Sequence, residues 1–388
     1  MDTIRYSGIQ GFFWINFAAL LGYTSPYLLE AGFDNTTIGI IVAAAGLISA
    51  VLQPALATYA DHPKSPSLKK MILAFAGIVL CFSLALTFCY GKQPFLTGLL
   101  YGAGITVLQL LTPLINSLGM ESINQGRKIN FGFSRGLGSA AYAVAAYILG
   151  IVVSKTTLLA VPIFMIISFG LLFVMVALFP FKKRDKKTTA AQNASVSPLY
   201  FFKRYKRFSI VLIGCICVYI SHILLNTFIF QIVQSKGGGS SEMGFTMALA
   251  AILELPTMLF FDQMRKKIRG DILFRVTGIF FFLKTVCTLL APNIPVYYTV
   301  QVLQMFGWAL ITVASVYYVN ALMDQQDAIK GQAYMTMTYT LGTVLGALIG
   351  GSLLDRTSVD IMLIVASIIA GVGMVVLLLA TERIDKKN

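Results

Sequence analysis

Apolar runs of about 20 residues, the length that crosses a bilayer core, recur twelve times along the chain. They fall at 10–30, 37–58, 71–90, 94–118, 133–153, 158–180, 208–233, 241–261, 273–292, 295–322, 331–354 and 359–380. Each predicts a membrane-spanning helix, and the polar residues inside them recur at helical spacing. Asn16, Tyr23 and Tyr27 form one seam in span 1, and Gln109, Thr112 and Asn116 share a face of span 4, where Pro113 predicts a kink. Gln301, Gln304, Trp308 and Ser315 make a stripe on span 10. Gly342, Gly346 and Gly350, four residues apart on span 11, predict a face that packs closely on another helix. Between spans 1 and 2, Asp34-Asn35-Thr36-Thr37 is helix-start chemistry. The first run is long and polar-seamed, without a small-residue cleavage site, so it reads as a retained span.

The longest polar segment, 182–207, divides the runs six and six. A basic loop opening with Asp61 follows span 2, and another opening with Asp262 follows span 8, so the second half repeats the plan of the first. The fold expected is an all-α membrane protein of twelve transmembrane helices in two pseudo-symmetric six-helix bundles. Its parts are an N-terminal bundle (1–181), a basic cytoplasmic linker (182–207) and a C-terminal bundle (208–388).

Composition agrees: 57% of residues are hydrophobic and 12% charged, against about 25% charged in soluble domains. The net charge of +14 could suggest nucleic acid. Its distribution says otherwise, because only Lys92, Lys155, Lys236 and Arg356 fall in the loops opposite the basic side. That asymmetry orients the chain with both termini in the cytoplasm, and a cell membrane follows as the location. Cys81, Cys89, Cys215, Cys217 and Cys287 all lie in apolar runs and read as membrane-core residues. Cys215, Cys217 and His222 do not share a helix face, so no metal site is expected, nor any cofactor.

Two ionisable residues stand where charge is expensive: Glu254 in span 8 and Lys284 in span 9. A charge at the centre of a span costs about 2.5–3.5 kcal/mol on insertion scales. Counted from the cytoplasmic ends of their spans, the two lie at similar depth. Either they form a structural ion pair, or Glu254 is a protonatable group that exchanges its proton as water access alternates. Arg135, one turn into span 5, either snorkels to the headgroups or offers a hydrogen-bonding fork to a solute, with Tyr142 two turns along the same face. His222, four residues before Asn226 in span 7, reads as a buried neutral histidine or as a contact to solute or proton. Asn116, Gln301 and Gln304 are neutral amides at membrane depth, each needing a partner or a wet cavity.

These residues resemble the major facilitator superfamily, in the branch of lactose permease-like oligosaccharide–proton symporters and phenylpropionate-permease-like proteins. The likeness runs over essentially the whole chain. It is carried by Pro26-Tyr27-Leu28 leading to Ile38-Gly39, Gln53-Pro54 with Asp61, and Pro113-Leu114-Ile115-Asn116. Phe131-Gly132-Phe133-Ser134-Arg135-Gly136-Leu137-Gly138-Ser139, Glu254-Leu255-Pro256 and Gln304-Met305-Phe306 complete it. Two six-span halves are also that superfamily's architecture. The resemblance implies that Arg135 binds solute, that Asn116 stands where lactose permease has a carboxylate, and that Tyr142 stands where it stacks sugar on a tryptophan. It implies that Lys284 replaces an intramembrane arginine, that Asp61 is a gating acid, and that the protein works as a monomer. The chain departs from lactose permease in span 10, where Gln304 and Gly307 replace a titratable histidine and glutamate; that permease's span-8 glutamate lies about one turn before Glu254.

The expectation is a secondary transporter in the lipid bilayer, not an enzyme or a nucleic-acid binder. It moves a small polar solute, a sugar or oligosaccharide, with a proton as co-substrate. Organic or aromatic acid transport, uniport and sensing on the same fold are the alternatives. The expected solute contacts are Arg135, Tyr142, Asn116, Asn16, Tyr23, His222, Asn226, Gln301 and Gln304. Glu254 and Lys284 couple the proton, and Asp61 and Asp262 gate.

Overall fold

The computed structural model describes residues 2–62, 65–182 and 198–384; of these, the side chains of Asp61, 198–200, Gln325, Gln326 and Ile329 are outside the description. Most of the linker, 183–197, is also outside the described residues. All regular structure among the described residues is helical. Among the described residues, eleven helices are long and apolar enough to cross a membrane; of the twelve expected spans, the broken first one is not among them. The large apolar residues they leave exposed, among them Leu47, Val51, Phe88, Leu259 and Leu379, suit lipid rather than water.

The first span differs from its prediction as one helix over 10–30. It begins earlier, as α1 (Asp2–Phe17), passes through a π-helical segment (Ala18–Gly22) and resumes as α2 (Thr24–Glu30). The break is tolerated because the carbonyls it frees find partners: the Leu20 carbonyl accepts from the Thr24 hydroxyl at 2.8 Å and the Tyr101 hydroxyl at 2.9 Å. The seventh span breaks likewise, between α9 (Lys206–Thr227) and α10 (Ile229–Ser235). Tyr23 (φ −104°, ψ 15°) and Phe228 (φ −108°, ψ 27°) take nearly the same backbone conformation at the two breaks. A glycine with positive φ follows each at the same interval, Gly32 (φ 90°) and Gly237 (φ 83°), where a side chain would be strained. The internal repeat therefore reaches down to local backbone geometry.

By their internal contacts the residues form two compact units, Met1–Ala191 with Gly239–Ala251, and Gln192–Gly238 with Ile252–Asn388. In the first, α1 packs on α6 (Phe131–Lys155) and α7 (Ala160–Leu178), while α5 (Pro94–Asn124) packs on α3 (Asn35–Asp61) and α4 (Leu68–Cys89). The Asp34 side chain caps α3 by accepting from the Thr37 amide at 2.8 Å, as the loop chemistry predicts. α3 and α5 run on through Pro54 and Pro113 as single helices. Gly150 of α6 and Gly244 of α11 (Ser240–Lys267) meet backbone to backbone: a β-carbon on Gly244 would stand 2.4 Å from the Ala146 carbonyl oxygen.

In the second unit α9 is central, against α15 (Gln325–Arg356) and α16 (Val359–Ala380), and α12 (Gly270–Leu290) packs on α16 and α14 (Trp308–Leu322). The glycine face of α15 does what its spacing predicts. β-Carbons on Gly342, Gly346 and Gly350 would stand 2.5 Å from Tyr219, 2.9 Å from Ile220 and Ile223, and 2.4 Å from Phe228 of the seventh span. The short helix α8 (Pro198–Arg204) is held where Arg204 meets Asp324 at 2.6 Å and Asp327 at 3.1 Å. Span 10 is not continuous over 295–322. It runs as α13 (Ile294–Val300), a 3₁₀ turn (Gln301–Met305), then α14 after Gly307.

Candidate functional site

In the first unit the polar groups gather around α1. Arg135 lies with its guanidinium carbon 3.9 Å from the centre of the Trp14 ring and donates to Ser139 at 2.9 Å. Trp14 Nε1 donates to Gln10 Oε1 at 3.2 Å, and the Gln10 amide nitrogen donates to the Tyr6 hydroxyl at 2.8 Å and to Asn116 Oδ1 at 3.3 Å. The Tyr6 hydroxyl in turn donates to the Ile115 carbonyl at 3.0 Å. Gln10 is buried and uses its carbonyl and both amide hydrogens within this chain of bonds, the arrangement a buried amide needs. Arg135 is thus folded onto an indole face, and Asn116 is joined to it through Gln10 and Trp14. Gly138 makes the room, since a β-carbon there would stand 2.5 Å from Trp14 Cδ1.

The other predicted contacts of this unit lie elsewhere. Asn16 is fully buried, donating to the Phe12 carbonyl at 2.9 Å and accepting from Ser168 at 2.6 Å, so both ends of its amide are engaged within the protein. Tyr23 is also fully buried and donates to the Ala146 carbonyl at 3.0 Å. Tyr142, half-buried, packs against Ala143, Ala248 and Ala251.

In the second unit the 3₁₀ turn decides the geometry. It carries Gln301 and Gln304 at i and i+3, which such a turn places in line. Gln301 turns back onto the Tyr297 carbonyl at 3.3 Å. Gln304 joins the two charges: its Oε1 accepts from Lys284 Nζ at 2.5 Å, and its Nε2 donates to Glu254 Oε1 at 2.9 Å. Lys284 is buried and Glu254 half-buried. The amide therefore presents each end to the charge that suits it. His222 stacks flat on Trp308, ring centres 4.2 Å apart and planes within 5°. Asn226 donates to the His222 carbonyl at 2.7 Å and lies 3.2 Å from its ring Nδ1.

Asp262 is exposed and stands on α11 rather than opening a loop, because that helix continues to Lys267; Arg265, one turn on, is 3.8 Å away. The Asp61 side chain lies outside the described residues. Among the described residues, no group of three or more His, Cys, Asp or Glu comes together as metal ligands would.

Sequence reasoning missed Trp14 and Gln10. Starting span 1 at residue 10 cut off Tyr6 and hid the stripe Tyr6, Gln10, Trp14, spaced by four along one helix face. The rarity of tryptophan was the available signal: the chain has two, and each stacks on a candidate residue of its own unit, Trp14 on Arg135 and Trp308 on His222.

Residues 3–365 match the family described as "MFS_1 like family". The chain is 21% identical over 388 residues to an uncharacterized transporter, YwbF, of Bacillus subtilis (strain 168), covering 98% of this chain and 94% of that protein. It is 22% identical over 378 residues to a maltose permease of Geobacillus stearothermophilus, covering 95% and 91%. Among solved structures, the nucleoside transporter NupG aligns with a TM-score of 0.76 at 17% identity, over 97% of this chain and 98% of that one. An auto-inhibited POT family peptide transporter aligns with a TM-score of 0.70 at 10% identity, over 100% and 98%.

Proposed function

For a chain that belongs to the MFS_1 like family, and so is a multi-pass membrane transporter of the major facilitator type, we propose that the solute is a sugar or oligosaccharide moved by alternating access together with a proton. The observation that carries the reading is the Arg135–Trp14–Gln10–Asn116 chain: one cation held among neutral amides and an aromatic face. The two ends of this chain, Arg135 and Asn116, are of the types that hydrogen-bond hydroxyls, and they stand beside an indole, the ring type that suits a sugar. The likeness to a maltose permease supports the same class. Organic acids are the second reading, because Arg135 and Lys284 set two cations against the mid-span carboxylate of Glu254.

In this reading Glu254 carries the proton, and Lys284, reached through Gln304, responds to its charge. His222 and Asn226 contribute hydrogen bonds in the second half, and Asp61 and Asp262 act at the gates. The working halves are 1–181 and 208–388, joined by the basic linker 182–207. The protein works as a monomer in the cell membrane with both termini in the cytoplasm, the orientation its Lys and Arg distribution favours.

Thermal-shift screening against maltose, other sugars, nucleosides and organic acids, followed by counterflow of the stabilising compounds in proteoliposomes, tests the solute class. Stabilisation by carboxylates alone would overturn the sugar assignment, and binding without exchange would make the protein a sensor. Solute-driven alkalinisation tests the proton: it should be lost in Glu254→Gln, and wild-type proton movement in that variant would remove Glu254 from the coupling.

A further inference from the structure

We propose that Trp14 is the positioning residue for Arg135: its indole face holds the guanidinium at the solute site, and the Gln10 amide holds the indole. The inference deepens the transport reading and rests on it, since it says how the cation of that site is kept in place. A long arginine side chain near a helix end ordinarily reaches for lipid headgroups. Here the Arg135 guanidinium carbon lies over the Trp14 ring, 3.9 Å from its centroid, and the side chain is pinned by Ser139, one turn further along α6. Both contacts draw it along the helix and onto α1.

The indole is itself fixed on three sides. Nε1 is bonded to Gln10, Phe17 packs at 4.8 Å between ring centres, and Gly138 leaves space at Cδ1 that any side chain would fill. Gln10 is anchored by Tyr6 and Asn116, so the chain of contacts ties α6 through α1 to α5. A guanidinium over an aromatic face is attracted through its centre and directs its N–H groups sideways, past the ring edge. A solute would therefore meet a fork already oriented, with little side-chain entropy left to lose.

Two arms test this. In the first, counterflow is measured for Trp14→Leu and Trp14→Phe, with maltose as the probe and, if maltose is not exchanged, with the panel compound that is. Leu removes the aromatic face, so KM should rise about tenfold with kcat within about twofold, while Phe, which keeps a π-face, should stay within about threefold of wild type. A residue that only supports the fold would change kcat and the amount of folded protein without that split or that rescue. An unchanged KM in Trp14→Leu would overturn the proposal.

The second arm needs no solute. In a Trp308→Phe background Trp14 is the sole tryptophan, and acrylamide quenching of its fluorescence reports exposure of the indole face. Adding Arg135→Ala should raise the quenching constant, and no change would overturn the stack. If no probe is exchanged by the wild type, the solute readings fail while the quenching arm still decides the Arg135–Trp14 contact.

Discussion

Glu254, Gln304 and Lys284 lend themselves to a double-mutant cycle with Glu254→Gln and Lys284→Met. Lys284 Nζ to Gln304 is 2.5 Å and Gln304 to Glu254 is 2.9 Å, so with the amide between them the charges lie within about 8 Å. At an effective dielectric of about 20, opposite charges at about 8 Å attract by about 2 kcal/mol. Glu254 is half-buried, so solvent screening brings the expected coupling to about 1–2 kcal/mol. Either single substitution leaves the remaining charge without its counter-charge inside the span. That costs about 3–5 kcal/mol for a fully buried pair, and about 2–3 kcal/mol is expected here after the same discount for exposure. The double variant removes both charges together with their desolvation, so it should be more stable than the sum of the singles by about 1–2 kcal/mol. Reversible unfolding in mixed micelles, followed by circular dichroism at fixed pH and salt, measures the three differences. Additivity within about 0.5 kcal/mol would refute the idea that Gln304 transmits charge between the two residues.

Two further outcomes follow from the packing. Gly138→Ala puts a β-carbon 2.5 Å from Trp14 Cδ1; the overpacking should destabilise by about 1–3 kcal/mol and raise KM as Trp14→Leu does, which thermal unfolding and counterflow check together. Gly346→Leu on α15 pushes into Ile220 and Ile223 at 2.9 Å; it should lower the yield of folded protein, whereas the same change at Gly136, with open space beside it, should not.

Much of the fold was legible because lipid imposes a one-dimensional rule. A span must be about 20 apolar residues long and must satisfy its own backbone, so helix count and order can be read from the chain. The glycine spacing of α15 was legible for the same reason: a period of four marks one face whatever that face meets. Helix ends were less legible. Charged residues such as Asp2, Arg5 and the 262–267 stretch look like loop, yet they continue helices beyond the apolar run. That error concealed Tyr6, Gln10 and Trp14.

Glu254, Lys284 and Arg135 announced themselves by chemical type, since charge inside a span is costly enough to need a reason. What they touch was decided elsewhere. A five-residue 3₁₀ turn in span 10 brings Gln304 between Glu254 and Lys284, where a continuous helix was expected. A missing side chain at Gly138 lets an indole reach Arg135. Asn16 and Tyr23, polar and well spaced, are engaged by Ser168 and the Ala146 carbonyl. The sequence by itself determined an all-helical membrane protein, its repeat, and which residues carry unusual chemistry, because burial in lipid selects residues by type. Only the tertiary structure decided which of them meet, because a hydrogen bond or a cation on a ring needs atoms within about 3–4 Å, and residues far apart in the chain come that close only through packing.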